Sequence, residues 1–286
     1  MLFATTTLAA RLERAECETV LDFALQARSR GRGVIIEHLG GGVAVYGGPG
    51  QPFNKVAGLG FDDGPLSEDA IARVEAAFDA VNAEIRVELA TLADPRVATM
   101  LARRGYVLIG HENVLGLALT PERVLEFDDA VAKSPEIAVS PAEAKELRLW
   151  RDTVIAGFAH RDAFDGPPPT ESFDRESLER VFEDSSTTPG MALYLARRGG
   201  EIAGGGSMRI SKGLAQMSGA STLPAHRRRG VQSTLLRARL SDAARAGCDL
   251  AITCTEPASK SQANMQRAGF ELLYARAVLV RAASKQ

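Results

Sequence analysis

The chain has 286 residues, 45% of them hydrophobic, with a net charge of −2 and an isoelectric point near 6.2. That length and apolar content suit one large core or two of about 140 residues each. The faintly acidic balance excludes a general nucleic-acid footprint, which carries a basic excess. Three scattered cysteines, Cys17, Cys248 and Cys254, exclude a disulfide framework and lack the paired spacing of a zinc site. Reduced thiols and no metal are expected. The N-terminal residues show no secretory pattern, and no segment reaches the roughly 18 apolar residues of a membrane span. The expected setting is cytoplasmic, with no membrane partner.

In chain order, Leu8, Leu12, Ala15, Val20, Phe23 and Ala24 form the apolar stripe of a helix over 8–28. Two short strands, 34–38 and 43–46, flank a glycine turn and read as a hairpin. A further strand is predicted at 56–61. Ser67 is a candidate N-cap for a helix running to about 81. A strand at 85–89, a helix at 94–104 ended by Gly105, and a long extended run at 106–119 complete the first half. Residues 120–140 hold Pro121 and Pro135 and a run of charges, and read as a connection with a short helix at 122–133.

The second half opens with a strand at 136–139 and a helix at 142–158. A triple-proline loop and a helix at 172–184 follow. Strands at 192–197, 201–210 and 214–223 read as a meander. A helix at 231–246, a strand at 250–255, a helix at 260–268 and a closing strand at 270–281 end the chain. Residues 100–117 lie over 264–281 without gaps: Arg103 meets Arg267, Gly105 meets Gly269, Tyr106 meets Phe270 and Leu108 meets Leu272. This faint repeat points to two similar halves.

The segment HRRRGVQSTLL (226–236) joins a strand to a helix through a basic, glycine-containing turn. A helix N-terminus offers free N–H groups and the positive end of the macrodipole, and glycine lets an anion approach the backbone. Arg227, Arg228 and Arg229 add charge, and a side chain at Gly230 is expected to block an anion. By residue types alone the turn reads equally as a solvated arginine cap. No aromatic residues interleave the arginines, which argues against a nucleic-acid patch.

The stretch LPAHRRRGVQSTLLRARLSDAARAGCDLAI resembles the acetyl-CoA-binding segment of GNAT superfamily N-acetyltransferases. Arg227, Gly230 and Gln232 stand at the positions of that family's (Arg/Gln)-x-x-Gly-x-(Gly/Ala) motif. Gln232 is a departure from the usual small residue. The later SQANMQRAGFELLY (261–274) is similar to the family's helix ending in Gly-Phe. The resemblance covers 136–281. It implies an α/β fold of two tandem GNAT-like domains, each a mixed central sheet flanked by helices. Residues 1–120 would be a degenerate copy without a phosphate loop, 121–135 a linker, and 136–286 the acetyl-CoA-binding domain.

The resemblance further implies that acetyl-CoA lies between two splayed strands. Backbone groups at Ala220, Ser221, Thr222 and Leu223 would pair with pantetheine and polarise the thioester. The amides of Arg228 through Ser233, Val231 among them, would hold the pyrophosphate. Ser261 and Asn264 would contact the pantetheine arm or adenosine. In the first half, Asp62, Asp63, Glu68 and Asp69 stand where phosphates would go and repel them.

Amine acetylation requires removal of a proton from the nucleophile and protonation of the leaving thiolate. The strand LAQMSGASTL has no carboxylate for the base. Glu256, His160 and Tyr274 remain as candidates, directly or through water. Cys254 reads as a core thiol. The loop at 160–173 borders the family's acceptor site. Its Asp162, Asp165 and Glu171 suit a cationic amine, and Trp150 and Phe158 are candidate walls. The expected activity is direct acetyl transfer from acetyl-CoA to a primary amine of a small molecule or peptide, by a monomer or homodimer. A non-catalytic acyl-CoA sensor and a scaffold protein on the same fold are the alternatives, the first favoured by the missing strand carboxylate.

Overall fold

The computed structural model describes residues 2–62, 66–160 and 173–284. Side chains that accept a backbone N–H start most of the helices, as their residue types demand. Thr5 caps α1 (Thr6–Ser29), Asp94 caps α3 (Pro95–Arg103) and Thr120 caps α4 (Pro121–Ala132). Asp174 caps α6 (Arg175–Ser185) and Ser259 caps α8 (Lys260–Arg267). Proline at the first position sets φ for α3 and α4. Ser67 sits at the N-cap of α2 (Glu68–Asp79) but its side chain makes no capping bond. The predicted helix at 142–158 divides into a 3-10 turn, Ala144–Glu146, and α5 (Leu147–Ala159).

The strands are β1 (Ile35–Leu39), β2 (Gly42–Tyr46), β3 (Lys55–Ala57), β4 (Ile85–Ala90) and β5 (Val107–Ala118) in the first half. The second half holds β6 (Ile137–Pro141), β7 (Met191–Arg198), β8 (Glu201–Ser211), β9 (Leu214–Thr222), β10 (Leu250–Thr255) and β11 (Glu271–Arg281). The strand predicted at 56–61 stops at Ala57, because Gly58 and Gly60 take φ of 78° and 83°, outside the extended region.

The eleven strands of the described residues join one sheet in the order β1-β2-β3-β4-β11-β5-β10-β9-β8-β7-β6. Matched as β1–β5 with β7–β11, the first ten positions read the same from either end. The halves are therefore related by a pseudo-twofold axis, and their last strands are exchanged. β5 lies between β10 and β11, and β11 lies between β4 and β5, all antiparallel. The gapless repeat places Glu112 over Arg276, and the ladder pairs these two residues directly.

Helix α7 (Val231–Arg245) buries Val231, Leu235, Leu236 and Leu240 with Phe127 of α4 and Met265 of α8. Trp150 of α5 and Phe182 of α6 build a separate cluster with Phe23 of α1. The 24 residues of α1 reach from the first half across the second. Thr19 Oγ1 donates to Gln216 at 2.9 Å, Arg209 of β8 donates to Asp22 at 2.5 Å, and Arg11 pairs with Asp249. A first-half helix thus walls the space beside β8, β9 and β10.

Candidate active site

Strands β9 and β10 pair in parallel over three rungs only, Leu214 with Leu250, Ala215 with Ala251 and Gln216 with Ile252. Beyond Gln216 they part, and Thr253 Oγ1 donating to the Met217 carbonyl at 3.1 Å is a side-chain bridge across the widening fork. β9 then enters the turn at Pro224, and α7 starts at Val231. A V-shaped opening beside a helix N-terminus follows directly from this geometry.

In the turn, Arg228 and Gly230 take φ of 57° and 80°. A Cβ on Gly230 would meet only Ile137 Cδ1, at an ordinary 3.5 Å. Glycine is needed there for the left-handed backbone, and steric blocking by near neighbours is a lesser matter. Arg228 and Arg229 are exposed. Arg227 turns inward: its Nε donates to the Thr222 carbonyl at 3.1 Å, and its Nη2 donates to the carbonyls of Gly157 and His160 at the end of α5. Ser233 is exposed in the first turn of α7, whereas Val231 is buried in the core. Gln232 accepts from Asn264 Nδ2 at 2.8 Å and so ties α7 to α8 across the mouth of the fork. This tie accounts for a long amide at a position where the family pattern has a small residue. Ala220, Gln232 and Ser261 line the opening. Ser221 Oγ donates to the Val154 carbonyl, and the Leu223 N–H is taken by Ala203.

The ladder between β8 and β9 shifts register between Gly205 and Ser207. The carbonyls at this bulge are met by two buried side chains. Arg239 of α7 donates to Ser207 O at 2.7 Å and Ser218 O at 3.3 Å, and Trp150 Nε1 donates to Gly206 O at 3.1 Å. A Cβ on Gly206 would come 3.0 Å from the Arg239 guanidinium, so glycine gives that side chain its room. Burial pulls the Arg239 pKa down to about 10.

A cavity of about 330 Å³ extends from the fork to α1. Its inner wall is charged. Lys55 of β3 pairs with Glu16 at 2.7 Å and Glu88 at 2.8 Å. Arg276 of β11 pairs with Glu13 at 2.8 Å and Glu112 at 2.9 Å. Burial, reinforced by the Glu88 carboxylate, pushes the Glu112 carboxyl up to about 7. Burial also disfavours charge on Glu16, but Lys55 and Arg276 outweigh it and hold Glu16 down to about 2. One carboxyl of the chamber is thus poised near neutrality beside another that stays ionised. Cys254 lies in the same wall, and burial raises its thiol well above the ordinary value, so it stays protonated.

The three sequence-derived candidates for proton transfer lie outside this lining. Tyr274 is buried, and its hydroxyl donates to Glu13 at 2.7 Å. Burial next to that carboxylate drives its pKa well up. His160 is exposed at the end of α5, with Nδ1 3.0 Å from the Ala156 carbonyl. Glu256 follows β10 at the surface side of the fork, half-buried. Asp162, Asp165, Glu171 and Asp63 lie outside the described residues. Phe158 does line the cavity, whereas Trp150 lies behind it at the bulge. Glu68, expected to repel phosphate, pairs with Arg104 at 2.7 Å.

Sequence reasoning missed Glu112, Glu16, Lys55, Arg209 and Arg276. Each comes to the site through long-range pairing: Glu112 and Arg276 through strand exchange, Glu16 through α1. The available signal was charge at inward positions of otherwise apolar strands, as with Glu88 in IRVELA.

Residues 158–270 match the sequence profile of the Acetyltransferase (GNAT) family. The whole chain shares its fold with GNAT proteins, a tandem GNAT protein among them, and the profile match falls in its second half. Among solved structures, a GCN5-related N-acetyltransferase from Kribbella flavida is similar at 18% identity, over 94% of this chain and 96% of that one, with a TM-score of 0.59. A tandem GNAT protein from the clavulanic acid biosynthesis pathway is similar at 14% identity, over 76% of this chain and 70% of that one, with a TM-score of 0.55. A functionally unknown conserved protein from Staphylococcus epidermidis is similar at 9% identity, over 76% and 79%, with a TM-score of 0.54. At these identities the likeness is one of fold. No curated protein matches the sequence. Among the described residues, no helix is long and apolar enough to cross a membrane, and no group of His, Cys, Asp and Glu is placed to hold a metal.

Proposed function

We propose that the protein transfers an acetyl group from acetyl-CoA directly to a primary amine, with coenzyme A held by the second half and the proton taken by a carboxylate of the first. The observation that carries this reading is Glu112. It stands on β5, a first-half strand inserted beside β10, and it lines the cavity one residue beyond the Thr255–Asn113 pair at the end of β10. It supplies the carboxylate that β9 lacks, and so favours turnover over the sensor reading.

In this reading, the exposed Arg228 and Arg229 and the first amides of α7 hold the pyrophosphate. The free edge of β9 pairs with the pantetheine arm, and its N–H groups polarise the thioester carbonyl. The acceptor enters the chamber as an ammonium ion. Glu112 takes one proton from it, and the neutral amine attacks the thioester carbon. The tetrahedral adduct passes its second N–H proton to sulfur as the C–S bond breaks, leaving the amide and the free thiol. Glu112 then returns its proton to solvent. A base with a pKa near 7 suits this cycle at neutral pH. Lys55 and Arg276 keep Glu16 ionised, so Glu112 is the carboxyl of the chamber left to take up a proton near neutrality.

Calorimetric titration with acetyl-CoA tests the donor half of the reading. One site per chain, weakened by Arg229→Glu, is expected. No binding, or binding indifferent to that charge reversal, contradicts it and leaves the scaffold alternative.

A further inference from the structure

The strand order gives the cavity two unlike ends. β11 and β5, with Arg276 and Glu112, lie on one side of the β9–β10 fork, and β8 and β7 lie on the other. Helix α1 runs past both. Its Glu16 pairs with Lys55 at the first end, and its Thr19 bonds to Gln216 at the fork. Phe23 lies one helical turn further on, about 6 Å along the axis. All three of these α1 side chains line the cavity. The charged end is internally paired: Lys55 holds Glu16 and Glu88, and Arg276 holds Glu13 and Glu112.

The second end is apolar. Phe23 stacks on Phe53 with ring centroids 4.0 Å apart, and Phe158 of α5 stacks on Phe182 with centroids 6.3 Å apart. Phe53, Phe158 and Met191, the first residue of β7, line the cavity and are only half-buried, so each keeps apolar surface uncovered. None of these residues belongs to β9, β10, α7 or α8, the elements that frame the coenzyme in the reading above. This wall is therefore left for the acceptor. Covering such a surface is favourable, and a ring suits it better than a chain, because ring faces and edges pair with those of phenylalanine and with a thioether.

The charges of the lining limit the rest of the molecule. Four cationic side chains, Lys55, Arg209, Arg239 and Arg276, stand against two carboxylates, Glu16 and Glu112, both already paired. A second cation on the acceptor would meet like charge at one end or apolar surface at the other. The volume of about 330 Å³ is near the lower limit of ligand pockets, about 300–1,000 Å³, and suits a small molecule. From this arrangement, which rests on the acyl-transfer reading above, we infer that the acceptor is a small primary monoamine bearing one apolar ring, with its amine at the fork and its ring against Phe53, Phe158 and Met191.

The test is calorimetry on the full chain in the presence of CoA, with 2-phenylethylamine, butylamine and spermidine as probes. Phenylethylamine is expected to bind about tenfold more tightly than butylamine, and spermidine no better than butylamine. Phe53→Ser and Met191→Ser each make part of the wall polar, one from each half of the chain, and CoA affinity serves as the control for folding in both. In a folded variant the ring preference is expected to shrink to about threefold or less. Equal binding of phenylethylamine and butylamine by the natural protein, tighter binding of spermidine, no binding of any probe, or a ring preference that survives in both variants overturns the inference. Phenylethylamine that binds as expected but is never acetylated counts against the acyl-transfer reading and leaves the ligand assignment standing. Acetylation of all three amines with equal kcat/KM does the reverse.

Discussion

Glu112 and Arg276 face each other on β5 and β11, at equivalent positions of the internal repeat, and Arg276 Nη1 donates to Glu112 Oε2 at 2.9 Å. The pseudo-twofold axis passes between them. Duplication would set identical residues across such an axis, and here the two positions carry opposite charges that pair with each other. The asymmetry of the two halves is centred on this pair.

Replacement of the base gives the sharpest chemical signature. Glu112→Gln is expected to lower kcat by about 10²–10⁴-fold with CoA affinity unchanged. In the natural protein kcat/KM should rise with pH through about 7 as Glu112 ionises. The groups around it are Glu88 on β4, Arg276 on β11, Lys55 on β3, Glu16 on α1 and Cys254 on β10. Glu88→Gln removes the main like charge, so the rising limb should move to lower pH. A pH–rate profile of each variant reads this, and an unmoved limb in Glu88→Gln would exclude Glu112 as its source.

The same carboxyl makes a pH-dependent contribution to stability. Its pKa in the folded chain is raised from the ordinary 4.5 to about 7, so the folded state binds more protons than the unfolded state between those values. Stability should therefore fall as pH rises through that window, by this group's contribution. Thermal melts of the natural protein and Glu112→Gln at pH 5 and pH 7.5 check the sign, and the variant should lose less stability than the natural protein over that interval.

Among the described residues Arg239 has no carboxylate partner, and it spends its donors on the bulge carbonyls of Ser207 and Ser218. Arg239→Met should cost about 1–3 kcal/mol per carbonyl left unsatisfied. Denaturant unfolding measures the loss. Acetyl-CoA binding should weaken as well, since the bulge sets the course of β9 into the fork.

Strand exchange makes the halves interdependent, whatever boundary is drawn at 121–135. Residues 136–286 produced alone would leave a gap between β10 and β11 where β5 belongs. That fragment should be aggregated or loosely folded, because unpaired strand edges recruit other chains. Co-production with residues 1–120 should restore a cooperative melt. Size-exclusion chromatography and circular dichroism distinguish the outcomes, and a monomeric fragment with a sharp melt would contradict this interdependence.

The order of elements was legible in the sequence because their signals are local. Asp94-Pro95 and Thr120-Pro121 mark helix starts, Gly105 and Gly269 mark ends, and the Arg-rich turn with Gly230 marks the entry into α7. The repeat of 100–117 in 264–281 even aligned the two residues on the axis. What it could not convey was the pairing partner. Nothing local in VLIGHENVLGLA says that its Glu112 will lie against a strand of the other half. Local signals for a base therefore point only to the second half, to Glu256, His160 and Tyr274. Tyr274 was committed elsewhere for the same reason, since its partner Glu13 is 261 residues away. Gln232, a departure from the family pattern by sequence, became intelligible only once Asn264 was seen to reach it across the fork.

The most direct measurement is release of free thiol from acetyl-CoA in the presence of a panel of primary amines, run in parallel on the natural protein and Glu112→Gln. Amine-dependent thiol release by the natural protein, matched by acetylated product and reduced at least 100-fold in the variant, is the predicted result. Acetyl-CoA that binds at the α7 turn yet yields no thiol with any amine, or turnover untouched by the loss of Glu112, would contradict it.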